Sequence, residues 1–173
     1  HIRIVRPLVD GVISDYEVTE EMLSYLINKA NDTVRKLLRP RVVIGIPVGI
    51  TNVEMRAVYD AAKSAGAREV YIVEEPMAAA IGVHMPVHDP VGSMMVDIGG
   101  GTTDIAVIAL SGVVRAKSIK IAGDKLTQDI ISYMRDEFKM LVGEKTAEHI
   151  KVNIGSALPD ENGEELSIKG RDL

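Results

Sequence analysis

The chain has 173 residues, 46% of them hydrophobic, with 20 basic against 25 acidic side chains and a formal charge of −5. That supplies apolar material for one ordinary core or two small ones, and the absence of basic runs interleaved with aromatics sets DNA and RNA aside as partners. Cysteine is missing, which removes disulfides, thiolate chemistry and cysteine-ligated zinc and suits a reducing compartment such as the cytosol; the uncharged apolar stretch Ile105 to Val114 is about half of what a spanning helix needs.

The first residues, His1-Ile2-Arg3-Ile4-Val5-Arg6, carry neither an initiating methionine nor a signal-peptide pattern. With the last residues, Ile168 to Leu173, reading as a strand and a turn that nothing follows to close a sheet, both ends are expected to be cut from a longer chain. Met22, Leu23, Leu26, Ile27, Ala30, Val34, Leu37 and Leu38 recur at helical spacing and predict a helix over 20–38. Thr19 is its expected cap, Glu20 and Glu21 suit the positive end of its dipole, and Pro40 ends it. Arg41 to Pro47 is a nearly continuous β-branched run of the kind found in strands covered on both faces. Thr51-Asn52-Val53-Glu54 matches a capping box opening a helix that runs to Ala65 and stops at Gly66. A second strand, Glu69 to Val73, follows, so the first half reads as an α/β crossover unit with a largely parallel sheet.

Pro76 suits the first turn of a short helix, Met77 to Ile81, ended by Gly82. Residues 83–92, with two prolines, two histidines and a glycine, read as a connection and a domain boundary. Beyond it, Met94 to Ile98 and Asp104 to Leu110 form a hairpin, and Ser111-Gly112 turns the chain into a third strand, 113–121. Leu126, Ile130, Met134 and Phe138 advance by four along an amphipathic helix, 125–141, and Thr146 to Ile154 starts another.

The segment that carries chemistry is Asp97-Ile98-Gly99-Gly100-Gly101-Thr102-Thr103-Asp104. Three glycines in a β-branched hairpin permit positive φ and remove side chains that would keep a phosphate from the backbone amides. The hydroxyls of Thr102 and Thr103 add donors at the same end, and Asp97 stands where it would orient water around a magnesium ion carried by the phosphates. A nucleoside triphosphate is the ligand this pattern suits. Taken alone, a flexible glycine turn beside an incidental acid explains the segment as well.

The context decides between them. Glu74-Glu75-Pro76-Met77-Ala78-Ala79-Ala80-Ile81-Gly82, together with Val96 to Asp104, resembles the paired signatures of the actin, heat-shock-chaperone and sugar-kinase superfamily. Within it, Arg6-Pro7-Leu8-Val9-Asp10-Gly11-Val12-Ile13, Ala65 to Tyr71, Glu144 to Glu148 and Ile154 to Ala157 resemble the bacterial MreB rod-shape family, and the resemblance covers essentially the whole chain. It implies an α/β, actin-like (ribonuclease H-like) ATPase fold, with 1–86 as the second half of domain I and 87–173 as the first half of domain II, whose smaller subdomain starts at about 124. It also implies ATP and Mg2+ clasped between two domains, and self-association into filaments at the cytoplasmic, inner face of the cell membrane, where they guide the cell-wall elongation machinery. The resemblance implies an ATPase coupled to polymerisation. An amino-terminal glycine hairpin and a later glycine-rich turn at the adenosine, both part of the family pocket, are absent, so the 173 residues alone are expected to be inactive.

The resemblance also assigns residues. Glu75 orients the water that attacks the γ-phosphate, against the simpler reading that it only caps a helix; its place at a helix amino end favours the carboxylate. Asp97 serves magnesium through water, Gly99, Gly100, Gly101, Thr102 and Thr103 hold the phosphates, and Glu148 and Lys151 flank the adenosine. Spacing alone makes Glu148 and Lys151 a surface ion pair on one helix face, and Asn153 departs from the acid the family pattern expects. Glu74 is read as structural, His84 and His88 as loop residues because Pro86 forbids a helical metal pair, and the eight methionines as core filler. Arg135, Asp136, Glu137 and Lys139 form a solvated face open to a filament neighbour. A sugar kinase would need a general-base Asp beside a sugar pocket, and a chaperone a peptide-binding domain; neither is found. A module that has lost its nucleotide would not need Glu75, Asp97 and Gly99 to Thr103 intact.

Overall fold

The computed structural model describes residues 5–9, 11–30, 39–159 and 163–173. The chain divides into two compact units, His1–Lys120 and Ile121–Leu173.

In the first unit, β1 (Leu8–Val9) and β2 (Val12–Ile13) pair antiparallel across Gly11, whose φ of +77° is left-handed. Helix α1 (Tyr16–Ala30) begins earlier than its apolar spacing predicts, because Asp15 and not Thr19 caps it: Val18 N–H donates to Asp15 Oδ1 at 3.1 Å. Thr19 is buried one turn in, where its hydroxyl donates to Asp15 O at 2.6 Å, the back-bonding geometry of a helical threonine. The expected continuation through Val34, Leu37 and Leu38 lies outside the described residues.

Strand β3 (Arg41–Ile46) pairs in parallel with β4 (Glu69–Glu74), joined by α2 (Asn52–Ser64), so the crossover unit is present as expected. The expectation that β3 is covered on both faces is not met. Val43 and its cross-strand partner Tyr71 are 68% and 51% exposed, so burial alternates along the strand as in a sheet with one open face. The capping box at α2 is complete: Glu54 N–H donates to Thr51 Oγ1 at 3.2 Å and Thr51 N–H to Glu54 Oε2 at 2.7 Å. Thr51→Ala is expected to destabilise the folded protein by about 1 kcal/mol, measured as a lowered urea midpoint at constant slope; an unchanged midpoint would show that the cap adds nothing.

Helix α3 (Glu75–Gly82) leads into the connection at 83–92, which is held by packing: Val87 joins Ala80, Ala106 and Ile108 in a buried cluster surrounded by Met77, Met85, Met95 and Val113. Three of the methionines thus fill core gaps as expected. Strands β5 (Ser93–Ile98), β6 (Thr103–Ala109) and β7 (Gly112–Ile119) form an antiparallel sheet. The β6–β7 turn falls one residue before its expected place, with Leu110 and Ser111 both left-handed at φ 50° and 64°, the signs a two-residue hairpin turn requires.

The second unit packs α4 (Gly123–Phe138) against α5 (Glu144–Ile154). Helix α4 stops before Leu141 because Lys139 turns left-handed at φ 53°. The chain then enters β8 (Met140–Leu141), which pairs with β9 (Arg171–Asp172) in the final segment.

Candidate functional site

The parallel strands end together. Ile46 pairs with Glu74, so the chain leaves β3 into Pro47 and Val48 and leaves β4 directly into Glu75, the first residue of α3. The carboxyl ends of parallel strands are where α/β sheets bind ligands. Glu75 packs closely on β3 at Gly45, where a Cβ would stand 3.1 Å from Glu75 Cγ and force the side chain to shift. The cap position belongs to Glu74, which makes no side-chain cap bond. Burial pushes the Glu75 carboxyl above its ordinary range, and the carboxylates of Asp104 and Asp97 push it the same way. An apolar cavity of about 160 Å³ has Glu75 among its walls, with Met22, Ile46, Pro47, Ile50 and Val58. The expected pull of the helix dipole toward ionisation is therefore outweighed.

Asp97 and Asp104 are direct partners across β5 and β6, so the pleat places both on the sheet face that carries Ala106 and Ile108 toward α3. Asp104 is 1% exposed, and its Oδ1 accepts from Val48 N–H at 3.0 Å. The hairpin between them closes through Gly99 N–H to Thr102 O at 2.9 Å, with Thr102 and Thr103 buried behind it. Positive φ is not what its glycines provide: among the described residues the glycines with positive φ are Gly11, Gly49, Gly66 and Gly163. They provide room. A Cβ on Gly99 would lie 3.2 Å from Thr102 O, and one on Gly11 would lie 2.6 Å from Pro47 Cγ and 3.3 Å from Thr102 Cγ2. The β1–β2 turn, the exit of β3 and the glycine hairpin therefore meet closely, with Gly100 exposed on the outer side.

Among the described residues no group of three or more His, Cys, Asp or Glu side chains is arranged to hold a metal ion directly. His88 Nδ1 sits 2.6 Å from Ser111 Oγ in the connecting loop.

In the second unit, Thr127 on α4 donates its hydroxyl to Glu148 Oε2 at 2.6 Å, while Lys151 Nζ donates to Thr127 Oγ1 at 3.0 Å and Gly123 O at 3.1 Å. Lys151 and Glu148 are also an ion pair at 2.7 Å. The bonds from Lys151 and Thr127 hold the Glu148 carboxyl below its usual range. Sequence spacing foresaw the pair but not Thr127 and Gly123, which tie it to the amino end of α4. Asn153 donates to His149 O at 2.7 Å within its own helix.

Sequence reading also passed over Asp104 and Gly45. Period-2 alternation carried a signal for the first, since Asp104 shares parity with the apolar Ala106 and Ile108; for Gly45 nothing local pointed to a side chain that arrives from 30 positions later.

A parallel strand–helix–strand unit ending in one acid, followed by an antiparallel glycine hairpin that starts from another, defines an actin-like ATPase fold. MreB5 of Spiroplasma citri bound to ADP superposes with a TM-score of 0.90 at 38% identity, over 99% of this chain and 51% of that one; the same protein bound to AMPPNP gives 0.89. The chain belongs to the MreB/Mbl protein family, which matches residues 1–173. It is 51% identical over 174 residues to the cell shape-determining protein Mbl of Bacillus subtilis strain 168, covering all of this chain and 52% of that protein. To the cell shape-determining protein MreB of Escherichia coli K12 it is 50% identical over 173 residues, covering all of this chain and 50% of that protein. The chain thus spans about half the length of the curated relatives it matches, and the sugar-kinase and chaperone readings are not favoured. Among the described residues no helix is long and apolar enough to cross a membrane.

Proposed function

We propose that the chain is part of an ATP-dependent, filament-forming cytoskeletal protein that organises cell shape. The observation that carries this reading is the convergence of Glu75, Asp97 and the glycine hairpin at the ends of β3 and β4. The likeness to MreB5 bound to ADP and to AMPPNP supports a nucleotide as the ligand.

Bound ATP would supply the phosphoryl group, and its Mg2+ would neutralise the charge that develops on transfer. Backbone amides of Gly99, Gly100 and Gly101, with the Thr102 and Thr103 hydroxyls, would hold the phosphates; Asp97 would hold water on the metal. Glu75 accepts a hydrogen bond from a water and aims it, and its raised proton affinity makes it a better acceptor than an ordinary carboxylate. Glu148 and Lys151, fixed by Thr127, would flank the adenosine. We assign residues 1–86 to domain I and 87–173 to domain II, a boundary supported by separate sheets on either side of residue 87 and distinct from the division of the compact units after Lys120. Assembly at the cytoplasmic membrane face with the cell-wall elongation machinery belongs to the same reading.

The test is sedimentation of the full-length protein. Pelleting that rises with ATP and Mg2+, above that seen without nucleotide, is expected; equal pelleting in the two arms, with no hydrolysis, would remove the assignment.

A further inference from the structure

We propose that Asp104 is a positioning residue that staples the exit of β3 to the phosphate hairpin and so holds Glu75 at its working distance. The inference rests on the nucleotide-hydrolysis reading above and deepens it. Asp104 opens the buried half of β6: it is 1% exposed, with Ala106 and Ile108 fully buried on the same face. A carboxylate taken so far out of water needs a compensating donor. It has one in Val48 N–H, at 3.0 Å and 56 residues away in sequence.

That bond joins the two strands that frame Glu75. Val48 follows β3 by two residues, and β3 supplies Gly45, against which Glu75 Cγ packs. Asp104 follows Thr103 and Thr102, and Thr102 meets the same Pro47 turn through Gly11. Cutting the bond frees the Pro47–Val48 turn from the hairpin, two residues beyond the Gly45 against which Glu75 packs. The backbone amides of Gly99, Gly100 and Gly101, assigned above to the phosphates, lie outside this turn. The prediction is a split: hydrolysis suffers while nucleotide binding is largely spared.

In the full-length protein with ATP, Asp104→Ala is expected to lower the single-turnover rate about a hundredfold, the scale of a misplaced catalytic group, with little change in ATP affinity. Asp104→Asn keeps an oxygen that accepts from Val48 N–H and is expected to restore most of the rate. A purely structural residue would lower stability and affinity together and would not show this rescue. The Val48 amide, followed by hydrogen exchange, is expected to be protected in the wild type and the Asn variant and unprotected in the Ala variant. A wild-type rate for the Ala variant, an Asn variant as slow as Ala, or an unprotected Val48 amide in the wild type would each overturn the staple. If the Ala variant does not fold, Val48 protection in the other two proteins decides. A wild type that hydrolyses no ATP would sink the hydrolysis reading instead, and the exchange arm would still report on the staple.

Discussion

Glu75→Gln in the full-length protein is expected to slow ATP hydrolysis by roughly 10²- to 10⁴-fold, to leave ATP binding nearly intact, and to leave thermal stability at neutral pH unchanged or raised. The carboxamide keeps the shape but loses the charge and the strong acceptor that aim water. The stability arm follows from the environment. Burial and the carboxylates of Asp104 and Asp97 raise the Glu75 pKa in the folded state, so the stability contributed by this group is fully present below its unfolded pKa and is lost as pH rises through the folded one. Above that point wild type carries an ionised, partly buried carboxylate facing two others, and Gln removes it. The gap in melting temperature between variant and wild type should therefore widen in the variant's favour as pH rises from mildly acidic to neutral. A helix cap would give the reverse, a normal rate constant with a lowered melting temperature. Single-turnover hydrolysis beside melting curves at several pH values separates the two.

Gly100→Val or Gly101→Val is expected to weaken nucleotide binding by about 10- to 100-fold, the loss that follows when a charged acceptor is kept from one backbone donor, while the melting temperature stays near wild type. Neither glycine is among those with left-handed φ, so a β-branched residue meets no backbone strain there. What changes is the distance at which a phosphate can approach. Calorimetric titration with ATP measures it, and a folded variant with unchanged affinity would take the phosphate cradle off this hairpin. In a filament whose lifetime is timed by hydrolysis, Gly100→Val should abolish nucleotide-dependent assembly, whereas Glu75→Gln should leave assembly possible and lengthen polymer life.

Local chemistry made several elements legible. The capping box at Thr51 and Glu54 needs only four consecutive residues, and it forms as read. The two runs Arg41 to Pro47 and Glu69 to Val73 announced strands because β-branched side chains fit a pleated surface, and the glycine hairpin announced itself through composition. Element ends were harder. The start of α1 depended on Asp15 reaching Val18 N–H before Thr19 acts as a cap, and the end of α4 on Lys139 accepting a left-handed φ so that Met140 and Leu141 pair with Arg171 and Asp172. Both outcomes are settled by partners far along the chain or by a competition between neighbouring caps, neither of which periodicity records.

The sequence by itself determined the residues we propose for phosphate chemistry: Asp97, three glycines, two threonines and Glu75, in an order that marks an actin-like hairpin. Only the tertiary structure decided how they work together. It set Asp97 opposite Asp104 by strand register, brought Glu75 beneath both through the parallel pairing of β3 with β4, and turned a carboxylate expected to be held low by a helix dipole into one pushed up by burial and like charge. It also recruited Gly45 and Gly11, which have no chemistry of their own and matter because a single Cβ at either would occupy space that Glu75, Pro47 or Thr102 already fills. The physical reason is that residue type is local, whereas desolvation, charge repulsion and close packing depend on which segments the fold brings within a few ångströms.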